Sequence, residues 1–311
     1  MIGQYKNKLA FIIPTRNRKE CLSELMESLK NQKDLISQII VVDGSDEPIG
    51  EPFFDKYPFD VDYLYVNPPS LTRQKNEGIK KLNEDITIAG MLDDDIVFYK
   101  DTAEQLLDFW ETCDDDVLGT ALNIVNTPAV GIIRRMISTI FYMDVGKRGK
   151  VLKSGFCSDL FPPKENISVE WLCGGATIWR RDVLRNNRYD ESLAGWAYYE
   201  DAVFSYNLSK KGRLFVLQDV RVDHNPPRFN IGKNLSLGRV LVINRYHFVR
   251  HHPELSQFFF FYSSIGEIIV NMLQSFSKRD ISGFLLAYGN ILGIWDIIIK
   301  ERNQIDENFR S

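Results

Sequence analysis

The sequence predicts an α/β fold: a mixed, mainly parallel sheet flanked by helices, followed by a helical C-terminal extension. Three observations carry this expectation. Over the first two-thirds of the chain, short apolar runs alternate with amphipathic stretches, the pattern of an open sheet wound with helices. The runs end in polar residues, at Pro14-Thr15-Arg16, Asp43-Gly44-Ser45 and Asp93-Asp94-Asp95, and ligands of such sheets bind outside the carboxyl ends of the strands. Past Pro226-Pro227 the pattern changes to long helices, so domains are expected at 1–228 and 229–311.

Leu9 to Ile13 reads as a buried strand stopped by Pro14, and Thr15 to Arg18 as a loop. Glu20 to Gln32 is an amphipathic helix with Leu22, Leu25, Met26 and Leu29 on one face. Gln38 to Val42 and Val61 to Val66 are the next strands, and a helix opens at Leu71. Ile86 to Leu92 is a buried strand that runs into three carboxylates. A helix over Thr102 to Thr112 and a strand over Asp116 to Ile124 follow. Residues 126–167, apolar and then basic, read as an insertion of the substrate-facing or lid type. Strand character resumes around Gly174-Gly175. A helix opens at Gly195 to Phe204, and short strands lie at Leu214 to Leu217 and Val220 to Val222. Helical patterns then cover Leu235 to His251, Leu255 to Phe276 and Ile281 to Ile299.

Composition narrows the function. At 44% apolar residues the chain has enough material for a sizeable core, and a net charge of −4 argues against a general nucleic-acid binder. Four cysteines without metal-ligand spacing read as reduced thiols of a cytoplasmic protein. Neither a Gly-x-Gly-x-x-Gly nor a Gly-x-x-x-x-Gly-Lys loop is present, which removes the dinucleotide and P-loop readings. The acids at 93–95 are the strongest chemical signal. Clustered carboxylates repel and are costly to bury, so a cluster at a strand mouth either closes an acidic turn or awaits a cation. Hard oxygen ligands at that spacing suit Mg2+ or Mn2+.

Taken in order, Ile-Ile-Pro-Thr-Arg-Asn-Arg, Val-Val-Asp-Gly-Ser, Arg-Gln-Lys-Asn-Glu-Gly, Leu-Asp-Asp-Asp and Tyr-Glu-Asp resemble the motifs of family 2 glycosyltransferases of the GT-A fold, over roughly residues 8 to 225. The resemblance implies an inverting transfer of one sugar from a nucleotide-sugar donor to a glycan or lipid-linked acceptor. Pro14, Thr15, Arg16, Asp43, Ser45, Arg73, Asn76, Asp93 and Asp94 would then line the donor site. Asp95, helped by His224, would hold the Mg2+ or Mn2+. Asp201 would be the catalytic base, with Glu200 orienting the acceptor or the base. Gly174, Gly175 and Trp196 would meet the substrate.

Structural alternatives stand beside these roles. Arg16 would equally cap a helix, Asp43 close a turn, His224 stabilise the Pro-Pro turn, Gly174-Gly175 form a bulge and Trp196 fill the core. Asp201 and Glu200 would also favour a helix N-terminus on electrostatic grounds alone. The Gln-x-x-Arg-Trp signature of processive members is missing, which favours transfer of a single sugar. The C-terminal helices, with Gly289-x-x-x-Gly293 among them, are expected to pack on protein, in a homodimer for instance, or to touch a membrane peripherally. The protein would accordingly be cytoplasmic or at the inner face of the membrane. Competing readings are a sugar-nucleotidyl transferase, a phosphohydrolase and a non-catalytic nucleotide-sugar binder.

Overall fold

The computed structural model describes residues 5–193, 197–227 and 231–308, with the side chains of 278 and 301–308 left aside. The chain divides into two compact units: Met1–Pro128 with Leu160–Pro227, and Ala129–Asp159 with Arg228–Ser311. The stretch read from sequence as an insertion inside the α/β domain therefore belongs, from Ala129 to Asp159, with the C-terminal helices.

In the first unit the described elements are β1 (Leu9–Thr15), α1 (Lys19–Leu29), β2 (Ile36–Asp43), β3 (Val61–Tyr65), α2 (Leu71–Lys80), β4 (Ile88–Leu92), β5 (Ile96–Phe98), α3 (Thr102–Thr112) and β6 (Val117–Ile124). The chain leaves this unit for α4 (Ile132–Ile140) and returns for β7 (Ile167–Val169), β8 (Ala176–Arg180), α5 (Arg181–Asn186), α6 (Glu200–Ser209) and β9 (Arg213–His224). The strands form one nine-stranded sheet in the order β3-β2-β1-β4-β8-β6-β9-β5, with β7 also on β9. From β3 to β4 every pair is parallel. Beyond β4 the pairing is mixed: β8 is antiparallel to both its neighbours, β6 and β9 are parallel, and β5 and β7 run antiparallel to β9.

All seven residues of β1 are buried, because helices cover both faces of the sheet. Leu9, Phe11 and Ile13 point to the face covered by Leu22 and Met26 of α1 and by Leu106 and Trp110 of α3. Ala10 and Ile12 point to the other face, with Ile79 of α2 and with Phe204 and Leu208 of α6. Gly78 lets α2 lie close on that second face, since a Cβ there would come 2.3 Å from Ile12 Cγ2.

Two strand expectations need correction. β1 does not stop at Pro14 but runs to Thr15, with Pro14 opposite Val42. Its pairing with β4 ends at Ile12, so the missing proline N–H disrupts no ladder on that side. The two short strands expected near residues 214–222 are one strand, β9, whose register shifts against β6 between Ala121 and Asn123.

In the second unit α7 (Asn234–Arg250), α8 (Gln257–Lys278) and α9 (Ser282–Asn308) join α4. Gly289 sits against the Leu235 carbonyl of α7, where a Cβ would stand only 2.2 Å away. Gly293 lies against the Arg239 carbonyl at 2.8 Å by the same measure, so the Gly-x-x-x-Gly pair serves packing inside the chain. Arg245 is buried here, paired with Glu267 at 2.8 Å and stacked over Phe156.

Candidate active site

The carboxyl ends of β1 and β2 are tied together by a buried amide. Gln74 Nε2, on α2, donates to the Thr15 carbonyl (2.9 Å) and the Val42 carbonyl (2.7 Å). Asp43 is wholly buried. Its Oδ1 accepts from Ser45 N, and its Oδ2 accepts from Ile49 N and from the Tyr63 hydroxyl, each at 2.8 Å. The carboxylate therefore shapes the 44–49 loop. Ser45 Oγ accepts from Asn17 N at 2.9 Å, joining this loop to the one after β1. Between the two loops lies a cleft lined by Asn17, Arg18, Lys19, Glu20, Ser45, Glu47, Pro48 and Ile49. Arg16 is exposed and pairs with Asp46 at 3.0 Å, so it turns to the surface rather than into the crevice. Arg18, not singled out from sequence, occupies the inner position instead.

The acids follow β4. Asp93 N donates to the Gly175 carbonyl at 2.8 Å. Asp94 is buried and turned back under the loop: its Oδ2 accepts from Thr15 Oγ1 (2.7 Å), and its Oδ1 accepts from Arg18 Nη1 (3.1 Å). Arg18 Nη1 also donates to Asp95 Oδ2 at 3.0 Å. The antiparallel β5–β9 pairing sets Ile96 opposite His224 and so returns the histidine to the acids. His224 Nε2 lies 3.1 Å from Asp95 Oδ1. Ligand atoms of Asp93, Asp95 and His224 all fall within 4.8 Å of one another. Expected at the donor ribose, Asp93 thus stands beside the two residues expected at the metal. Asp94 is engaged by Thr15 and Arg18.

The electrostatics follow from these contacts. Burial pushes the Asp94 carboxyl up to about 6, against the opposing Thr15 hydrogen bond and Arg18 charge. Burial also raises Asp93, against the Lys75 charge. Burial would raise Asp95 too, but the His224 hydrogen bond, the His224 charge and Arg18 outweigh it and hold that carboxyl below its usual value. His224 is raised, chiefly by its hydrogen bond to Asp95. Asp95 Oδ1 is buried and, among the described residues, has no partner other than that imidazole. Two carboxylates and one imidazole around an under-satisfied oxygen fit a hard divalent cation such as Mg2+ or Mn2+, with places left for phosphate oxygens.

A second set of acids stands across Gly174-Gly175. α6 starts after Ala197 (φ 45°) and Tyr199 (φ 74°), left-handed positions uncommon for residues with a side chain. Asp201 Oδ2 accepts from Gly174 N at 2.9 Å, and its Oδ1 accepts from Ala202 N at 2.8 Å. Both bonds orient the carboxylate, and each oxygen keeps a lone pair for another donor. Glu200 Oε1 accepts from Lys75 Nζ at 2.5 Å, with both side chains buried. Glu200 Oε2 is buried without a partner among the described residues. The Glu200 carboxyl is raised to about 7 by burial, with the Lys75 charge opposing. The Lys75 ammonium also lies 5.0 Å from the centre of the Tyr189 ring.

The two glycines keep the space between these acids clear. A Cβ on Gly175 would stand 2.6 Å from Asp93 Oδ2. A Cβ on Gly174 would stand 2.9 Å from Asp201 Cβ and 3.0 Å from Glu200 Oε1.

Asn76 is held otherwise than expected: it donates to the Tyr189 carbonyl and to Glu191 Oε1 and accepts from Tyr189 N, so it anchors the 189–191 segment. Arg73 is half-exposed on α2, and Trp196 lies outside the described residues. Lys75 was missed from sequence. It sits between buried Gln74 and Asn76 on the face of α2 that carries Ile79, and a lysine on a buried helix face signals an ionic partner.

Solved structures share this architecture. The chain is similar to a mannosyltransferase, PcManGT from Pyrobaculum calidifontis, in complex with GDP-Man and Mn2+ (TM-score 0.56, 13% identity, covering 94% of this chain and 88% of that one). It is also similar to residues 1–349 of TarS from S. aureus (TM-score 0.51, 15% identity, covering 90% of each chain). Fold and strand-end acids together define a glycosyltransferase domain of the GT-A class. Residues 10–163 match the family model described as glycosyl transferase family 2, and the chain belongs to that family. It is 25% identical over 217 residues to the minor teichoic acid biosynthesis protein GgaA of Bacillus subtilis (strain 168), which covers 66% of this chain and 44% of that protein. The chain thus spans less than half the length of that relative.

Proposed function

We propose that the protein transfers a single hexosyl or deoxyhexosyl unit from a nucleoside-diphosphate sugar to a hydroxyl of a glycan or lipid-linked acceptor, with inversion at the anomeric carbon. The observation that carries the reading is the placement of two acid sets on either side of Gly174-Gly175: Asp93, Asp95 and His224 on one, Asp201 and Glu200 on the other. The first set would hold Mg2+ or Mn2+, which supplies Lewis-acid neutralisation of the diphosphate. The donor base and ribose would lie along the cleft beside Ser45, Asn17 and Arg18. Asp201 takes the proton of the acceptor hydroxyl as its oxygen bonds to the anomeric carbon. The bond from that carbon to the phosphate oxygen breaks, and the nucleoside diphosphate leaves with the electron pair. Lys75 and Glu200 form a buried pair beside Asp201, whose carboxylate is aimed by Gly174 N and Ala202 N.

Similarity supports the donor and acceptor classes. One structural relative is described with GDP-Man and Mn2+, another, TarS, with UDP, and GgaA is described as a teichoic acid biosynthesis protein. A role in polysaccharide biosynthesis fits this set. Contact of the C-terminal helices with a membrane or a second copy belongs to the same reading, and four free cysteines suit a cytoplasmic protein.

The test is incubation of the protein with a panel of nucleotide sugars, Mn2+ or Mg2+ and glycan acceptors. Release of nucleoside diphosphate in step with glycosylated acceptor is expected. Pyrophosphate-dependent nucleotidyl exchange, or nucleotide binding without any turnover across the panel, would overturn the proposal.

A further inference from the structure

The second unit presents an apolar face that its own packing does not cover. On α4, Ile132, Ile133 and Met136 are 79%, 70% and 60% exposed. This helix is anchored to α8: the Tyr262 hydroxyl donates to the Ile140 carbonyl at 3.0 Å, and the Phe141 and Tyr262 rings lie 5.3 Å apart. Exposed Phe276 of α8 meets exposed Phe284 of α9, ring to ring, at 5.1 Å. From Phe284 the exposed stripe continues along α9 through Tyr288, Ile291 and Trp295, at steps of four, three and four residues. The opposite side of α9 carries Gly289 and Gly293 against α7. Three helices of this unit thus carry apolar side chains that the unit leaves uncovered.

Basic residues outnumber acids around these side chains. From Ala129 to Met143 the only charged residues are Arg134 and Arg135, both exposed on α4. Half-buried Asp144, which accepts from Gly146 N, comes next, and exposed Lys147 and Arg148 follow. From Ile281 to Trp295 there is no charge at all; exposed Arg279 and then Asp280, which accepts from Ser282 N, precede the stripe, and exposed Lys300 lies beyond it. Asp296, the first acid beyond it, is engaged by Arg239 of α7 at 2.5 Å. In a protein of net charge −4 this is a local reversal of sign.

We infer that this face lies on an anionic lipid bilayer, with the apolar side chains of α4, α8 and α9 in the acyl boundary and the flanking arginines and lysines among the headgroups. Amphipathic helices rich in basic residues bind membranes in this way, through apolar burial plus attraction to anionic lipid. Tyr288 and Trp295 have the amphipathic rings favoured at the membrane–water interface. A second copy seated on the same face would bring one predominantly basic patch against another. Ser282–Lys300 is 19 residues long and apolar enough to cross a membrane, yet 33% of it is buried inside the chain. Its glycine contacts and the Arg239–Asp296 pair hold it to α7, so it rests on the bilayer rather than spanning it.

Sedimentation of the full chain with phosphatidylglycerol vesicles and with phosphatidylcholine vesicles, at low and high salt, tests the inference. Binding to phosphatidylglycerol should exceed binding to phosphatidylcholine and should weaken as salt rises. Ile133→Asp/Met136→Asp should lower that binding by roughly tenfold or more, and Arg134→Glu/Arg135→Glu by a similar factor on phosphatidylglycerol alone. Both variants change exposed residues outside the candidate site, so nucleotide-sugar turnover on a soluble acceptor should be retained, which separates this test from that of the transfer reaction. Absence of vesicle binding, or equal binding by wild type and both variants, would overturn the inference. So would self-association of the wild type that these substitutions abolish, because the face would then belong to a second copy.

Discussion

Lys75→Met removes the cation from a pair that water does not reach. Lys75 is 1% exposed and Glu200 6%, with their charged atoms 2.5 Å apart. An exposed pair contributes only about 0–1 kcal/mol, whereas removing one partner of a buried pair costs about 3–5 kcal/mol. Glu200 is poorly placed to absorb the change, since its Oε2 has no partner among the described residues. The sign of the pH dependence follows from its raised carboxyl, at about 7 against the usual 4.5. A carboxyl raised on folding contributes stability that is fully present below its unfolded value and is lost as pH rises through its folded value. In the wild type that loss levels off once Glu200 ionises against Lys75, near pH 7. Without Lys75 the folded value is higher still, so the loss continues at about 1.4 kcal/mol per pH unit above 7. Urea unfolding at pH 6, 7 and 8 should therefore show a gap between wild type and variant that widens with pH and reaches about 3–5 kcal/mol at pH 8. Lys75→Met/Glu200→Leu, which removes both charges at similar volume, should recover most of the loss. A gap below about 1 kcal/mol at pH 8, the range of an exposed pair, would refute the reasoning. A double variant no more stable than Lys75→Met would refute it as well.

Asp201→Asn should keep nucleotide binding and lose about 10²–10⁴-fold in turnover, with wild-type product of inverted anomeric configuration by NMR; near-normal turnover or a retained configuration would remove Asp201 as the base. Asp95→Ala should abolish metal-dependent nucleotide binding by calorimetry while metal-independent binding persists, and unchanged metal dependence would exclude it as a ligand. Gly175→Ala forces Asp93 to move, since the new Cβ would stand 2.6 Å from its Oδ2, so metal-dependent nucleotide binding should weaken by roughly tenfold or more. Gly174→Ala presses instead on Asp201 and Glu200; its effect should appear in turnover, and equal effects of the two substitutions on metal-dependent binding would contradict the division of the site.

By itself the sequence determined the α/β class, the order of the parallel strands' motifs, and the acid cluster at 93–95. These are local facts: a buried strand needs a continuous apolar run, and three adjacent carboxylates are too costly at a strand mouth to go unexplained. It also marked His224, Gly174-Gly175 and Glu200-Asp201 as punctuation at element ends. Partnership was decided only by the tertiary structure. His224 reaches Asp95 because β9 pairs antiparallel with β5, joining segments that lie far apart in the chain. Asp93 joins them because its N–H is held by the Gly175 carbonyl, while Asp94, one residue on, faces back to Thr15 and Arg18. Adjacent acids in one turn point different ways, and nothing in Asp-Asp-Asp says which. Asp43 and Asn76 carry motif positions yet satisfy backbone groups, Asp43 in its own loop and Asn76 in the distant 189–191 segment, because buried polar atoms take the donors and acceptors that packing brings to them. Lys75 was legible only as an anomaly, a charge on a buried helix face, until α6 supplied Glu200. Residues 129–159 read as part of the α/β domain because they interrupt it, but their apolar side chains pack with the later helices, and packing assigns a segment to its unit.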